Sequence, residues 1–292
     1  MEYEMIGPQG MAAIVTMLAF GLFVPIIAAI VWTKIKKEKF TTVLLGAAGF
    51  AAFAIVLEAI PKMILFSAKN AVGCFVRDHA WAYILVGALL AGLFEETARF
   101  FVFKVLIKKR KNKETAVSYG IGHGGIEVIF LLATAGINNL IYAVFINAGL
   151  FGTMVEQSAM VDPNAAEQLN QIAVSLAGLQ FTDVLVSIWE RLGAVMLHVA
   201  CSIIVFRAVR EKGKQWMYPL AIVIHTLVDC IAGMYQVGII TNIYVLETMI
   251  FVASLAVFVY AIYVYRKMPA VYKDEDDEAE DKQLEDIKKL GL

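Results

Sequence analysis

Seven apolar runs, at about 11–33, 41–66, 80–107, 114–136, 181–207, 217–239 and 241–265, are each long enough to cross a bilayer as a helix. A hydrocarbon core needs about 20 residues in that form, at about 1.5 Å of rise each. Lipid cannot hydrogen-bond to the backbone, so such segments have to satisfy their own peptide groups, and helices do. The expected fold is an all-α polytopic membrane protein, a bundle of about seven transmembrane helices with the lipid bilayer as its partner. Composition agrees: 60% of residues are hydrophobic and 17% charged, and the mean hydropathy is +0.72, more apolar than soluble domains of this size. A formal net charge of −1 with no basic stripe argues against nucleic acid as a partner. Cys74, Cys201 and Cys230 share no metal-ligand spacing and imply no disulfide framework. The acidic start MEYEMIGPQG leads into a run of spanning length, which reads as a first span rather than a cleaved signal.

The connecting charges orient the bundle. KIKKEK (34–39), KKRKNK (108–113), RAVREKGK (207–214) and the exit at Tyr265, Arg266 and Lys267 are basic, and the span count puts them all on one side. The positive-inside rule makes that side cytoplasmic, with the N-terminus outside and the C-terminus inside. Residues 137–151 stay apolar but are short for a span, and counting them would turn RAVREKGK outward. They read as a continuation of the fourth span or as an interfacial or re-entrant piece. Residues 152–180 form an outer loop in which Asp162-Pro163 announces a capped amphipathic helix. Residues 1–267 thus form the membrane domain, within which 80–240 is the candidate functional core, and 268–292 an acidic cytoplasmic tail.

Inside these apolar runs stand groups that are expensive in lipid and mark function by default. GLFEETARF carries Glu95, Glu96 and Arg99. His123 lies in GIGHGGIE with Glu127 four residues on, His198 in GAVMLHVACS, and His225 in VIHTLVDC with Asp229 four residues on. On a helix the i,i+4 spacing puts both partners on one face. Counted from the nearest basic anchor, Glu95, Glu96 and Arg99 lie 13, 12 and 9 residues from Lys108; His123 lies 10 from Lys113, His198 9 from Arg207 and His225 11 from Lys214. At helical rise they share one layer, roughly 13–20 Å from the inner surface.

Adjacent glutamates point about 100° apart on a helix. One can face a buried water as general base while the other, held by Arg99, sets the geometry, and a histidine from another helix can pass the proton to a leaving amine. Other donors can stabilise an oxyanion. That chemistry is acyl hydrolysis at membrane depth. Glu95 with Arg99 also fits a structural ion pair, and His198, alone on its helix, fits a packing histidine with a possible supporting role. Glu58, Glu190 and Arg191 read mainly as interhelical partners. The glycines of GIGHGG either let helices approach closely or leave backbone accessible beside His123.

On Glu95-Glu96-x-x-Arg99-Phe100, on His123 in GIGHGGIE and on His225-x-x-x-Asp229, the chain resembles the YhfC family of glutamic-type intramembrane proteases. That family is related to the PrsW proteases and more distantly to the CAAX prenyl endopeptidases and bacteriocin-processing enzymes. The resemblance implies an integral protein of a bacterial cytoplasmic membrane that cleaves membrane-embedded or membrane-proximal peptide without a cofactor. Glu95 would activate water with His123, Glu96 and Arg99 would organise the site, and His225 with Asp229 would meet the scissile carbonyl or its oxyanion. Two residues separate Glu96 from Arg99, nearer the PrsW pattern than the prenyl endopeptidases' three, and Asp229 stands where the latter have asparagine. Two alternatives stay open. HExxH is absent, yet Glu95 and the three histidines offer enough ligands for a zinc metalloprotease. Carboxylate–histidine chains also serve proton- or ion-coupled transporters, although no internal repeat accompanies them here.

Overall fold

The computed structural model describes residues 3–273, so most of the acidic tail, residues 274–292, lies outside the described residues. Ten helices follow one another: α1 (Pro8–Lys36), α2 (Phe40–Leu65), α3 (Ala71–Asp78), α4 (Ala80–Phe101, extended by a π-helical turn Val102–Leu106), α5 (Glu114–Asn147), α6 (Phe151–Val161), α7 (Pro163–Ala177), α8 (Phe181–Arg210), α9 (Met217–Gln236) and α10 (Ile243–Lys267). Six of them, α1, α2, α5, α8, α9 and α10, are long and apolar enough to cross a membrane, and the chain is an integral membrane protein. The helix α4, third of the seven runs counted from sequence, is not among the six. Its uninterrupted apolar stretch ends at Phe94, where Glu95, Glu96 and Arg99 begin. Residues 137–147 simply prolong α5, which continues through a π-helical turn as one span from Glu114 to Asn147.

The helix α8 is the axis of the bundle. In its most apolar stretch 67% of residues are buried, against 22–33% in the other five spans, whose outer faces remain for lipid. The largest apolar cluster gathers Val199, Ile203, Ile204 and Phe206 of α8 with Phe103, Tyr119, Ala221 and Val264 from its neighbours. A second cluster, away from the basic loops, joins Ile6 and Ile14 to the end of α5 and to α6 and α7. There Asn147 closes a two-way bridge to Ile6, donating to its carbonyl at 3.0 Å and accepting from its N–H at 2.8 Å. Asp162 caps α7 by accepting from the Asn164 N–H at 2.9 Å.

The helices α2, α5 and α8 meet through glycines, which settles what GIGHGG does. A Cβ at Gly122 would sit 2.0 Å from the Val43 carbonyl oxygen of α2, and one at Gly46 would sit 2.2 Å from that of Tyr119. On the other face of α5 a Cβ at Gly120 would lie 2.7 Å from the Val199 Cα of α8. The glycines permit backbone contact, and this contact delivers His123 to the interior. Gly122→Ala is expected to destabilise the protein by about 1–3 kcal/mol, because the obstructing atom is backbone and a helix must shift. Gly178→Ala, with its nearest foreign atom 3.6 Å away, should be nearly neutral; thermal unfolding of the two variants in detergent compares them.

π-helical turns interrupt three helices beside their charged groups: Ala51–Leu57 before Glu58, Val102–Leu106 after Arg99 and Ile129–Ala133 after Glu127. Such turns rephase a helix and concentrate at functional sites.

Candidate active site

Glu95, Glu96 and Arg99 of α4, His123 of α5, His198 of α8 and His225 of α9 are all buried and meet in one place. The depth register read from four basic anchors therefore corresponds to a real convergence of four helices. Its centre is one oxygen. Glu95 Oε2 lies 2.9 Å from His123 Nε2, 3.6 Å from His198 Nδ1 and 3.9 Å from His225 Nε2.

The opposite sides of two of these rings are tied down. Arg99 Nη2 donates to His198 Nδ1 at 2.7 Å; a guanidinium only donates, so the ring's proton is on Nε2. From there His198 donates to Glu127 Oε2, and Glu127 in turn accepts from Arg191 Nη1 at 2.7 Å. His225 Nδ1 donates to Glu96 Oε1 at 2.7 Å, leaving Nε2 toward Glu95 and toward Asp229 Oδ2 at 3.5 Å. His123 is held differently, edge-on to Phe50 with ring centroids 5.2 Å apart. Among the described residues its Nδ1 has no hydrogen-bond partner, so nothing there fixes the proton and Nε2 can face either a carboxylate or a cation.

Arg99 is the keystone of the charge balance. Its side chain has no solvent exposure; Nη1 donates to Glu96 Oε1 at 2.8 Å, lies 3.8 Å from Glu95 Oε2, and Nε donates to Ser202 Oγ at 3.2 Å. Glu96 is thus shared between Arg99 and His225, whereas Glu95 faces the histidines.

All the site residues expected from sequence, Glu95, Glu96, Arg99, His123, His225 and Asp229 with Glu127 and His198, belong to this network. His198 stands at its centre, where the sequence also allowed a packing role. Arg191, read from sequence as an interhelical partner, is one, since from α8 it fastens Glu127 of α5, but its tie to the site was not foreseen; Ser202, which receives Arg99, was left out. Arg191 lies seven residues from His198 on α8, about 10 Å along the helix; two long side chains span that gap, which counting along helices does not register. Ser202, four residues after His198, offered only its spacing as a signal.

Glu95, His123 and His198 each present one donor atom, all within 4.8 Å of one another. Ligands about 2.0–2.1 Å from a tetrahedral zinc lie roughly 3.3 Å apart, and the 2.9 and 3.6 Å separations at Glu95 Oε2 bracket that value. The His198–Glu127 bond is also the pattern that orients metal-bound imidazoles, a ring N–H given to a carboxylate. The donor set has the spacing and chemistry of a divalent metal site, provided that Arg99 Nη2 releases His198 Nδ1. A second group, Glu96, Cys201 and His225, satisfies the same spacing, but its glutamate is already engaged by Arg99 and His225.

The family model described as YhfC intramembrane metalloprotease matches residues 20–250. A relative in Bacillus subtilis (strain 168), named Uncharacterized membrane protein YhfC, is 27% identical over 234 residues, covering 80% of this chain and 88% of its own length. No solved structure matches the chain. The metalloprotease description favours the zinc alternative over the metal-free mechanism expected from sequence.

Proposed function

The chain belongs to the YhfC family, described as intramembrane metalloproteases, and on that premise we propose that it is a zinc-dependent endopeptidase cutting membrane-embedded or membrane-proximal peptides at the buried polar layer. The observation that carries this reading is the ring of imidazole nitrogens around Glu95 Oε2, at 2.9, 3.6 and 3.9 Å. Glu95, His123 and His198 would hold the ion. Bound zinc supplies a Lewis acid for the scissile carbonyl and water acidified toward neutrality.

The chain's own groups do the rest. Glu127, braced by Arg191, fixes the tautomer and tilt of His198. Glu96 does the same for His225, and Arg99 balances the two adjacent carboxylates. His225 Nε2 and Asp229, 3.5 Å apart, form a proton-handling pair beside the reacting bond, suited to delivering a proton to the departing amine. The surrounding apolar bundle encloses the layer except at Asp229, which is partly exposed.

A second reading, in which Glu95 activates water without a metal, is favoured by one contact: Arg99 Nη2 occupies the lone pair of His198 Nδ1 that a metal would need. Elemental analysis of the purified protein separates the two. The zinc reading expects about one zinc per chain, lost in His123→Ala, and cleavage abolished by a chelator and restored by zinc. Chelator-resistant cleavage by metal-free protein would overturn it in favour of the second reading.

In this reading α4 is a seventh membrane-crossing element, tolerated because its charges face partners inside the bundle. The basic loops lie in the cytoplasm, the N-terminus outside, the catalytic core spans 80–240, and residues 152–180 cover the outer end.

A further inference from the structure

A cavity of about 640 Å³ opens between the end of α2, α3, α4 and α9, a volume typical of ligand sites. Its floor is Asp229, 3.5 Å from His225, so it leads to the polar layer. Its walls owe their room to small residues, Gly87, Ala88 and Ala91 on α4 and Gly233 on α9. Its rim, at the end of the bundle opposite the basic loops, carries Lys62 and Arg77.

The charges on this cavity are not symmetric. Lys62 is held by the buried Glu58 at 2.5 Å. Arg77 is exposed, and among the described residues no carboxylate pairs with it; its sequence neighbour Asp78 does not line the cavity. The floor carries the carboxylate of Asp229. A peptide with an acidic group is therefore drawn in with that group at the rim and away from the floor. The rim also sits at a defined level. Phe75 and Trp81, both exposed, pack edge to face 5.8 Å apart around α3, as aromatic residues do at a membrane–water interface.

Distance completes the picture. Asp229 and Gln236 both line the cavity, and the seven helical steps from one to the other on α9 rise about 10 Å, which sets the cavity's length along that helix. An extended peptide covers that length in about three residues.

We infer that this cavity receives the substrate segment next to the scissile bond, and that Arg77 selects an acidic side chain about three residues from that bond. The inference rests on the hydrolase reading and deepens it by naming the substrate class: membrane-inserted peptides with an Asp or Glu at the juxtamembrane end of the cleaved segment.

The test uses the full chain in detergent and a series of apolar, labelled peptides bearing one Asp, Asn or Lys at successive positions. Cleavage is followed with wild type, and binding with Glu95→Gln by fluorescence anisotropy. One Asp position should raise kcat/KM about tenfold over Asn, with the cut mapped about three residues away, and the same position should tighten binding to Glu95→Gln. Arg77→Ala should erase the preference and Arg77→Glu invert it toward Lys. An acid preference unchanged in both Arg77 variants, or no preference at any position, overturns the inference, as does an Arg77-dependent association with anionic detergent but not with Asp peptides. Arg77-dependent binding without cleavage by wild type would sink the hydrolase reading and leave the acid-selective cavity standing. Cleavage lost in Glu95→Gln but blind to acidity would do the reverse.

Discussion

Glu95→Gln is expected to lower peptide cleavage by at least about 10²–10⁴-fold, the range over which a positioned acid–base group acts. The substitution keeps size and shape but replaces a carboxylate with an amide, which neither binds zinc as an anion nor takes a proton from water. The Oε2 position it alters is the point on which three histidines from three helices converge, so no neighbour can stand in. Glu96 is one residue away, but its Oε1 is committed to Arg99 and His225. Mass-spectrometric detection of cleaved peptide, with zinc content measured on the same sample, reads the effect. Cleavage within tenfold of wild type would remove Glu95 from the centre of the reaction. Glu96→Gln, by contrast, should act through the placement of His225.

Arg99→Ala is expected to cost about 3–5 kcal/mol of stability, the range for breaking a buried ion pair from one side. The guanidinium is fully enclosed and serves Glu96, His198 and Ser202 at once, with Glu95 at 3.8 Å. Removing it leaves two neighbouring carboxylates without their cation in a low-dielectric interior, and that penalty outweighs the lost packing. Arg99→Lys should recover little, since an ammonium is a point charge and cannot reproduce the planar fork. Neutralising Glu96 in the same chain (Glu96→Gln with Arg99→Ala) should recover part of the loss. Thermal unfolding in detergent measures each step; an unfolding midpoint for Arg99→Ala equal to wild type would contradict the assignment.

Much of this architecture could be read before any coordinate. Apolar run length dictates helices in lipid, and the polar groups announce themselves because each is costly where it stands. Counting from basic anchors brought the four helices to one level because helical rise is constant. Counting does not carry azimuth or reach. It could not tell that His198 faces Glu95 rather than a packing partner, nor that Arg191 stretches along α8 to brace Glu127. Nor could hydropathy separate metal from metal-free chemistry, because that depends on donor atoms within a few ångströms of each other. The same limit applied to α4: its charges mark it as part of the site and also remove it from the helices whose composition alone would carry them through a bilayer.

The π-helical turn at Ala51–Leu57 divides α2 into two halves. Below it, the Gly46 and Gly122 contacts leave α2 and α5 no room to slide. Beyond it, the half bearing Lys62 ends just before Phe66, whose ring meets Tyr83 of α4 edge to face, centroids 5.2 Å apart. A π-helical turn is one of the few causes of a sharp change in a helix's course. The wall of the polar layer and the wall of the cavity are then parts of one helix, with the change of hydrogen-bond register between them. One helix therefore shapes two different places, the wall behind His123 through Phe50 and the mouth of the cavity through Lys62.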